Sequence, residues 1–306
     1  MKTFGDLAEL SPQTNPWRST QASHPTNPNP SYICGMSLPA KYIDIREVIR
    51  QKNPNLLRLM PAFVLGYIRR ILHEQEMNDF LAVHGSLEGL PFVEQVLKTF
   101  GVRLEVVGAE NIPLSGGVIF AANHPMGGLD GLAMMQVLGQ RRSDLKFLIN
   151  DIVANVKQLS PFFVAVNKHG SQERAAVRAV DEALRSESAF VVFPAGLVSR
   201  KQAQGIADLE WKKTFVSQAR KYQKPVVPVY IEGRNSAFFY NLTRLRRFIG
   251  IKANIEMFYL VDEMFAQKDK VITIHFGEPI AYATFDRSRK DGEWAGWVRE
   301  QVYKMK

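Results

Sequence analysis

The segment Ala122-Asn-His-Pro-Met-Gly-Gly-Leu-Asp-Gly131 holds the residues best suited to chemistry. Five residues separate His124 from Asp130, and two of them are Gly127 and Gly128. Glycine lets the backbone reverse sharply, which can return a carboxylate to an imidazole. A carboxylate on one ring nitrogen fixes the tautomer and stabilises the imidazolium, leaving the other nitrogen to take a proton from a hydroxyl. That is the Asp–His half of a catalytic triad, with a substrate hydroxyl in place of an enzyme serine. Taken alone, the same pair is equally a turn held by a His–Asp hydrogen bond. His169 and His275 lack a similarly placed acid and glycine turn. No His/Cys/Asp/Glu set has metal-ligand spacing, so no metal is expected. The glycines lack the Walker lysine and the dinucleotide spacing.

For His124 and Asp130 to meet, a strand must deliver the first and a helix the second. The apolar run Val118–Ala121 precedes the segment, and Leu132–Leu138 follows it with a helical pattern. In open α/β sheets, the carboxyl ends of strands are where ligands bind. From about residue 101 the pattern predicts strands at 103–107, 117–121, 145–149, 162–166, 189–193, 225–231, 255–260 and 271–276. Helical patterns lie between several of them, including 172–187 and a helix over 209–222 capped by Asp208. This alternation predicts an α/β domain over 99–306, a mostly parallel central sheet flanked by helices. Residues 34–98 are expected to form an N-terminal helical region. There Leu56, Leu57, Met60, Phe63, Val64 and Ile68 recur at near-helical spacing, flanked by Lys52, Arg58, Arg69 and Arg70. Such a basic amphipathic stretch either lies in a bilayer interface or packs on the core. Residues 1–33, with Asn-Pro at 15–16, 27–28 and 29–30, read as a flexible tail.

The Asn-His-Pro, glycine and Asp segment after an apolar strand resembles the first motif of the glycerolipid acyltransferase superfamily, which includes the lysophosphatidate acyltransferases. The majority pattern places four residues between His and Asp. The five found here are similar to the hemolysin-like or ornithine-lipid acyltransferase branch, with its His-Pro-x-Gly-Gly-x-Asp-Gly. Later motifs follow in order. Pro161-Phe-Phe-Val-Ala-Val-Asn-Lys168 resembles the second block, with Lys168 where arginine usually holds an acceptor phosphate; lysine lacks the bidentate fork. Phe193-Pro-Ala-Gly-Leu-Val-Ser-Arg200 resembles the third, with Ala195 in place of a glutamate that helps to bind glycerol. Val227–Ile231 and Phe276–Ile280 match the remaining blocks and read as core strand and turn. The resemblance spans about residues 50–300.

The resemblance implies an O-acyltransferase in which His124 is general base and Asp130 its partner. Asn123, Gly127, Gly128, Lys168, Phe193, Pro194, Gly196 and Arg200 are the implied substrate-binding residues. It implies no cofactor beyond the donor substrate, a fatty acyl thioester on acyl carrier protein or coenzyme A. The acceptor is a lysolipid, either a lysophospholipid or an N-acyl amino acid lipid with a free hydroxyl. The departures at Ala195 and Lys168 favour the second kind. A thioesterase using water at the same pair is the nearest alternative.

The net charge of +9 has a local origin, since residues 200–252 carry twelve Lys/Arg against three Asp/Glu. A basic face suits anionic lipid headgroups, acidic acyl carrier protein or nucleic acid, or it simply faces water. Arg244, Arg246 and Arg247 lie among Phe238, Phe239, Tyr240 and Phe248, a mixture suited to a membrane boundary. A basic nucleic-acid-binding protein is the rival of another class. No zinc-finger, helix-turn-helix or RNA-binding strand signature accompanies the charge, so nucleic acid is not an expected partner. A single cysteine, Cys34, excludes an internal disulfide. No secretory signal is visible, and the longest nearly apolar run, Leu59–Ile68, is half a span and contains Pro61. These features lead us to expect a cytoplasmic protein, peripheral on the inner face of the cell membrane.

Overall fold

The computed structural model describes residues 42–149, 156–165, 178, 180–251 and 254–306. The expected tail, Cys34, Lys168 and His169 lie outside them.

Apolar residues on successive positions of a strand point to opposite faces, so a strand buried throughout must be covered on both sides. The strand β2 (Val118–Ala122) is of this kind. Val118, Phe120 and Ala122 share a core with Phe92, Val93, Val96 and Leu97 of α5 (Leu90–Thr99) and with Leu129, Leu132 and Met135 of α6 (Gly128–Gly139). Ile119 and Ala121 face the opposite core, with Phe215, Val216 and Ala219 of α7 (Thr214–Lys221) and Trp294, Val298 and Val302 of α10 (Asp291–Lys304). The result is a sheet sandwiched between two layers of helices.

The remaining strands are β1 (Arg103–Val107), β3 (Leu145–Ile149), β4 (Phe163–Ala165), β5 (Ala189–Val192), β8 (Val226–Ile231) and β9 (Val271–Phe276). The sheet order is β1-β9-β8-β2-β5-β3-β4. All neighbours are parallel except β8 and β9. A short antiparallel hairpin, β6 (Arg200–Gln202) and β7 (Gly205–Ala207), stands apart from it. The expected mostly parallel α/β architecture is therefore what the chain forms. Because β2 lies between β5 and β8, the loops that leave these three strands emerge side by side at one sheet edge.

Before the sheet come α1 (Ile45–Lys52), α2 (Pro54–Leu59), α3 (Ala62–Ile71) and α4 (Glu74–His84), then α5. Met60 and Pro61 divide α2 from α3, as proline lacks the N–H an uninterrupted helix needs. Of the expected apolar face, Leu56 and Phe63 are exposed and Leu57, Met60, Val64 and Ile68 half-buried; Leu59 beside them is exposed too. Residues 180–185 are helical, within the 172–187 pattern.

Two local expectations are corrected. Residues 255–260 form no strand; Ile255–Tyr259 is a 3-10 turn leading into α9 (Leu260–Phe265). Its apolar run has no fixed period, and Glu256, fully buried, is drawn inward by Arg200 and Arg246. Nor does Asp208 cap a helix. The helix begins later, at Thr214, because the Asp208 carboxylate is bonded elsewhere.

Candidate active site

His124 lies two residues beyond the end of β2. Gly127 has φ +91°, a conformation that side chains resist, and a Cβ there would sit 3.3 Å from Val198 Cγ1. It turns the chain into α6, whose third residue is Asp130. Gly128 is already helical, so Gly127 alone makes the reversal. Asp130 is fully buried, and its Oδ2 accepts from His124 Nδ1 at 2.9 Å. The same oxygen accepts from the backbone N–H groups of Met126 at 2.9 Å and Gly127 at 3.0 Å. These donors and the helix N-terminus all converge on one carboxylate oxygen. With Nδ1 engaged, the imidazole presents Nε2, and its side chain keeps 19% exposure.

The loop after β5 supplies the other wall. Phe193 stacks on the His124 ring with centroids 4.3 Å apart and planes 26° apart. The Gly196 N–H closes a turn onto Phe193 O, and Lys212 N–H donates to Pro194 O. Gly196 has φ +68°, and a Cβ there would meet Lys212 Nζ at 3.1 Å. Phe193 is thus brought to His124, while Pro194 and Gly196 pack against Lys212 in the turn that follows. Ala195 is buried.

Other expected residues are placed differently. Asn123 is buried, and its side-chain amide donates to Ile231 O at 2.9 Å while accepting from Ile231 N–H at 2.6 Å. It clamps the ends of β2 and β8, and both polar atoms of its side chain are engaged by the Ile231 backbone. The Arg200 guanidinium is also buried, donating to Val198 O at 2.7 Å and to Glu256 at 3.2 Å and lying 5.2 Å from the Phe239 ring centroid. Burial pulls its pKa down, opposed by Glu256. Its charge is met inside the protein. Arg246 shares Glu256 and is likewise buried, whereas Arg244 and Arg247 are exposed.

One carboxylate beside His124 escaped sequence reasoning. Asp208, fully buried, accepts from His124 N–H at 3.2 Å, Ser199 Oγ at 2.6 Å and Trp211 Nε1 at 2.9 Å. It lies 84 positions from His124 and carries no motif of its own.

The acyltransferase family model matches residues 47–306. The chain belongs to the acyltransferase family. Two relatives of this acyltransferase are both named lyso-glycine lipid O-acyltransferase. The protein from Bacteroides thetaiotaomicron is 41% identical, over 86% of this chain and 97% of the relative. The one from Phocaeicola vulgatus is 39% identical, over 86% of this chain and 95% of the relative. Among solved structures, the 1-acyl-sn-glycerophosphate (LPA) acyltransferase PlsC of Thermotoga maritima is similar at 18% identity and a TM-score of 0.44, covering 85% of this acyltransferase and 98% of that chain. No group of His, Cys, Asp and Glu among the described residues is arranged to hold a metal ion, and no described helix is long and apolar enough to cross a membrane.

Proposed function

We propose that the chain transfers a fatty acyl group from an acyl carrier protein or coenzyme A thioester to the hydroxyl of a lysolipid. The acceptor class that the relatives' names support is an N-acyl amino acid lipid of the lyso-glycine type. The observation carrying this reading is the His124–Asp130 pair, with Nδ1 bonded to a buried carboxylate and the imidazole side chain still 19% exposed. Nε2 takes the proton of the acceptor hydroxyl as its oxygen attacks the thioester carbonyl. Asp130 stabilises the imidazolium, which then returns the proton to the departing thiolate. No acyl-enzyme is required. Phe193 holds the ring plane against the approaching acceptor, and the glycine turns leave room for backbone N–H groups to meet the oxyanion.

The lipid acceptor calls for contact with a membrane, and the exposed surface supports it. Leu59 and Phe63 are 81% and 78% exposed, and Phe248 of α8 (Ala237–Phe248) is 89% exposed. Tyr259 joins these two regions, sharing a hydroxyl hydrogen bond of 2.8 Å with Tyr67 and packing its ring on Phe238. Arg58, Arg69, Arg70, Arg244 and Arg247 lie close in sequence to these residues and are exposed. Apolar residues edged by arginine suit an anionic bilayer surface. We assign α2 and α3, together with α8, to this contact, which keeps the protein peripheral on the inner face of the cell membrane.

The test is acyl transfer from labelled acyl carrier protein and from acyl-CoA to lyso-glycine lipid, other N-acyl amino acids and lysophospholipids. Transfer to the N-acyl amino acid class supports the acceptor assignment. Transfer only to lysophospholipids overturns it while keeping the chemistry.

A further inference from the structure

A fully buried carboxylate is costly to the fold unless donors surround it, so Asp208 demands an account. Its surroundings supply donors from three groups. His124 N–H and Ser199 Oγ meet Oδ1, and Trp211 Nε1 meets Oδ2. The Asp208 backbone is pinned as well, its N–H donating to Tyr303 Oη at 2.7 Å and its carbonyl accepting from Arg299 and Gln202, each at 2.7 Å.

The bonds close on His124. Its N–H goes to Asp208, its carbonyl accepts from Ser199 N–H at 2.7 Å, and the Ser199 hydroxyl returns to Asp208. Both polar groups of the His124 main chain are therefore held by one small ring of contacts that ties the loop after β2 to the loop after β5. The imidazole thus stands beside two buried carboxylates, Asp130 on its ring nitrogen and Asp208 on its peptide.

We propose that Asp208 is a positioning residue for His124, gripping its main chain through Ser199 and adding a second negative charge that favours the imidazolium formed during acyl transfer. This inference rests on His124 as the general base. Other charged or titratable groups here are Arg299 and Tyr303 on α10, which face Asp208, Lys212 beside Gly196, and Tyr240 on α8 on the Asp130 side. Burial raises the Asp208 pKa, while Ser199, Trp211 and His124 donate to its ionised form and work against that rise. Three donors converging on its two oxygens are the geometry of a carboxylate acting as acceptor.

The experiment compares kcat–pH profiles of the full chain and of Asp208→Asn, Ser199→Ala and Trp211→Phe, with unfolding followed alongside. His124→Ala serves as the separate control for the base. Asp208→Asn lowers kcat about tenfold to a hundredfold, with KM changed less than about threefold. It also moves the acid limb of the profile down by at least about half a pH unit, because an imidazole without that charge loses its proton more readily. Ser199→Ala loosens the grip but keeps the charge. It lowers kcat several-fold and leaves the limb in place. Should Asp208→Asn fail to fold, Ser199→Ala and Trp211→Phe decide the matter. Native kcat in both overturns the inference, and a several-fold loss at constant KM upholds it. A folded Asp208→Asn whose acid limb does not move also overturns it. Activity that survives His124→Ala overturns the base reading instead, a different failure.

Discussion

Replacing Asp130 by asparagine tests how much of the reaction the buried carboxylate carries. The substitution keeps the side chain's shape, and one amide oxygen can still accept from His124 Nδ1 and the N–H groups of Met126 and Gly127, all within 3.0 Å in the native site. What is lost is the charge. In the resting enzyme a neutral imidazole loses little by this, but in the transition state the ring becomes cationic. A charge-assisted hydrogen bond contributes about 1.5–3 kcal/mol. Full burial of Asp130 on one side of the pair places the interaction at the upper end of that range. At about 1.4 kcal/mol per factor of ten, loss of the charge lowers kcat about a hundredfold. KM should change little, because Asp130 has no exposed surface with which to meet a substrate. The assay is initial-rate acyl transfer at saturating donor, with unfolding of the variant measured in parallel. A folded Asp130→Asn variant with kcat within about threefold of native would refute the assignment.

Arg200→Ala removes one of the two buried arginines that share Glu256 and should destabilise the fold by about 1.5–3 kcal/mol, read from denaturant unfolding. A variant of native stability with a raised KM would return Arg200 to the substrate. Asp144 has its pKa lowered chiefly by hydrogen bonds from Arg142, so its stabilisation is present above the ordinary carboxylate value of about 4 and is lost as pH falls through the lowered folded value. The difference in melting temperature between native protein and Asp144→Asn should therefore shrink from about pH 6 to about pH 3; a constant difference contradicts this. Leu59→Ser combined with Phe248→Ser should weaken sedimentation with anionic vesicles by about tenfold or more without altering unfolding, since both side chains lie open to solvent. Undiminished binding would remove this surface from the account.

What could be read from residues alone was local. The strand of Val118–Ala121, the glycine turn and the helix carrying Asp130 occupy one short stretch, so spacing alone brought the His and Asp groups together. The central strands were visible because each is a short apolar run bounded by turn residues. Long-range contacts left no such trace. Asn123 reads as part of a motif, yet Ile231, 108 positions away, takes up its side-chain amide. Arg200 reads as a site cation until Glu256, 56 positions on, is brought beneath it. Residues 255–260 read as a strand because an apolar run does not declare its period, and only the burial of Glu256 reveals a turn. Asp208 reads as a helix cap, a common use of Asp, until the fold sets it against the peptide of His124.

The central claim is that His124 is the base of an acyl transfer to a lipid hydroxyl. The most direct measurement is transfer of labelled acyl chain to lyso-glycine lipid by the native protein and by His124→Ala, with circular dichroism and melting temperature recorded for both. The account predicts diacylated product from the native protein and a loss of at least about a hundredfold in the folded variant. Product formed at the native rate by a folded His124→Ala would contradict it.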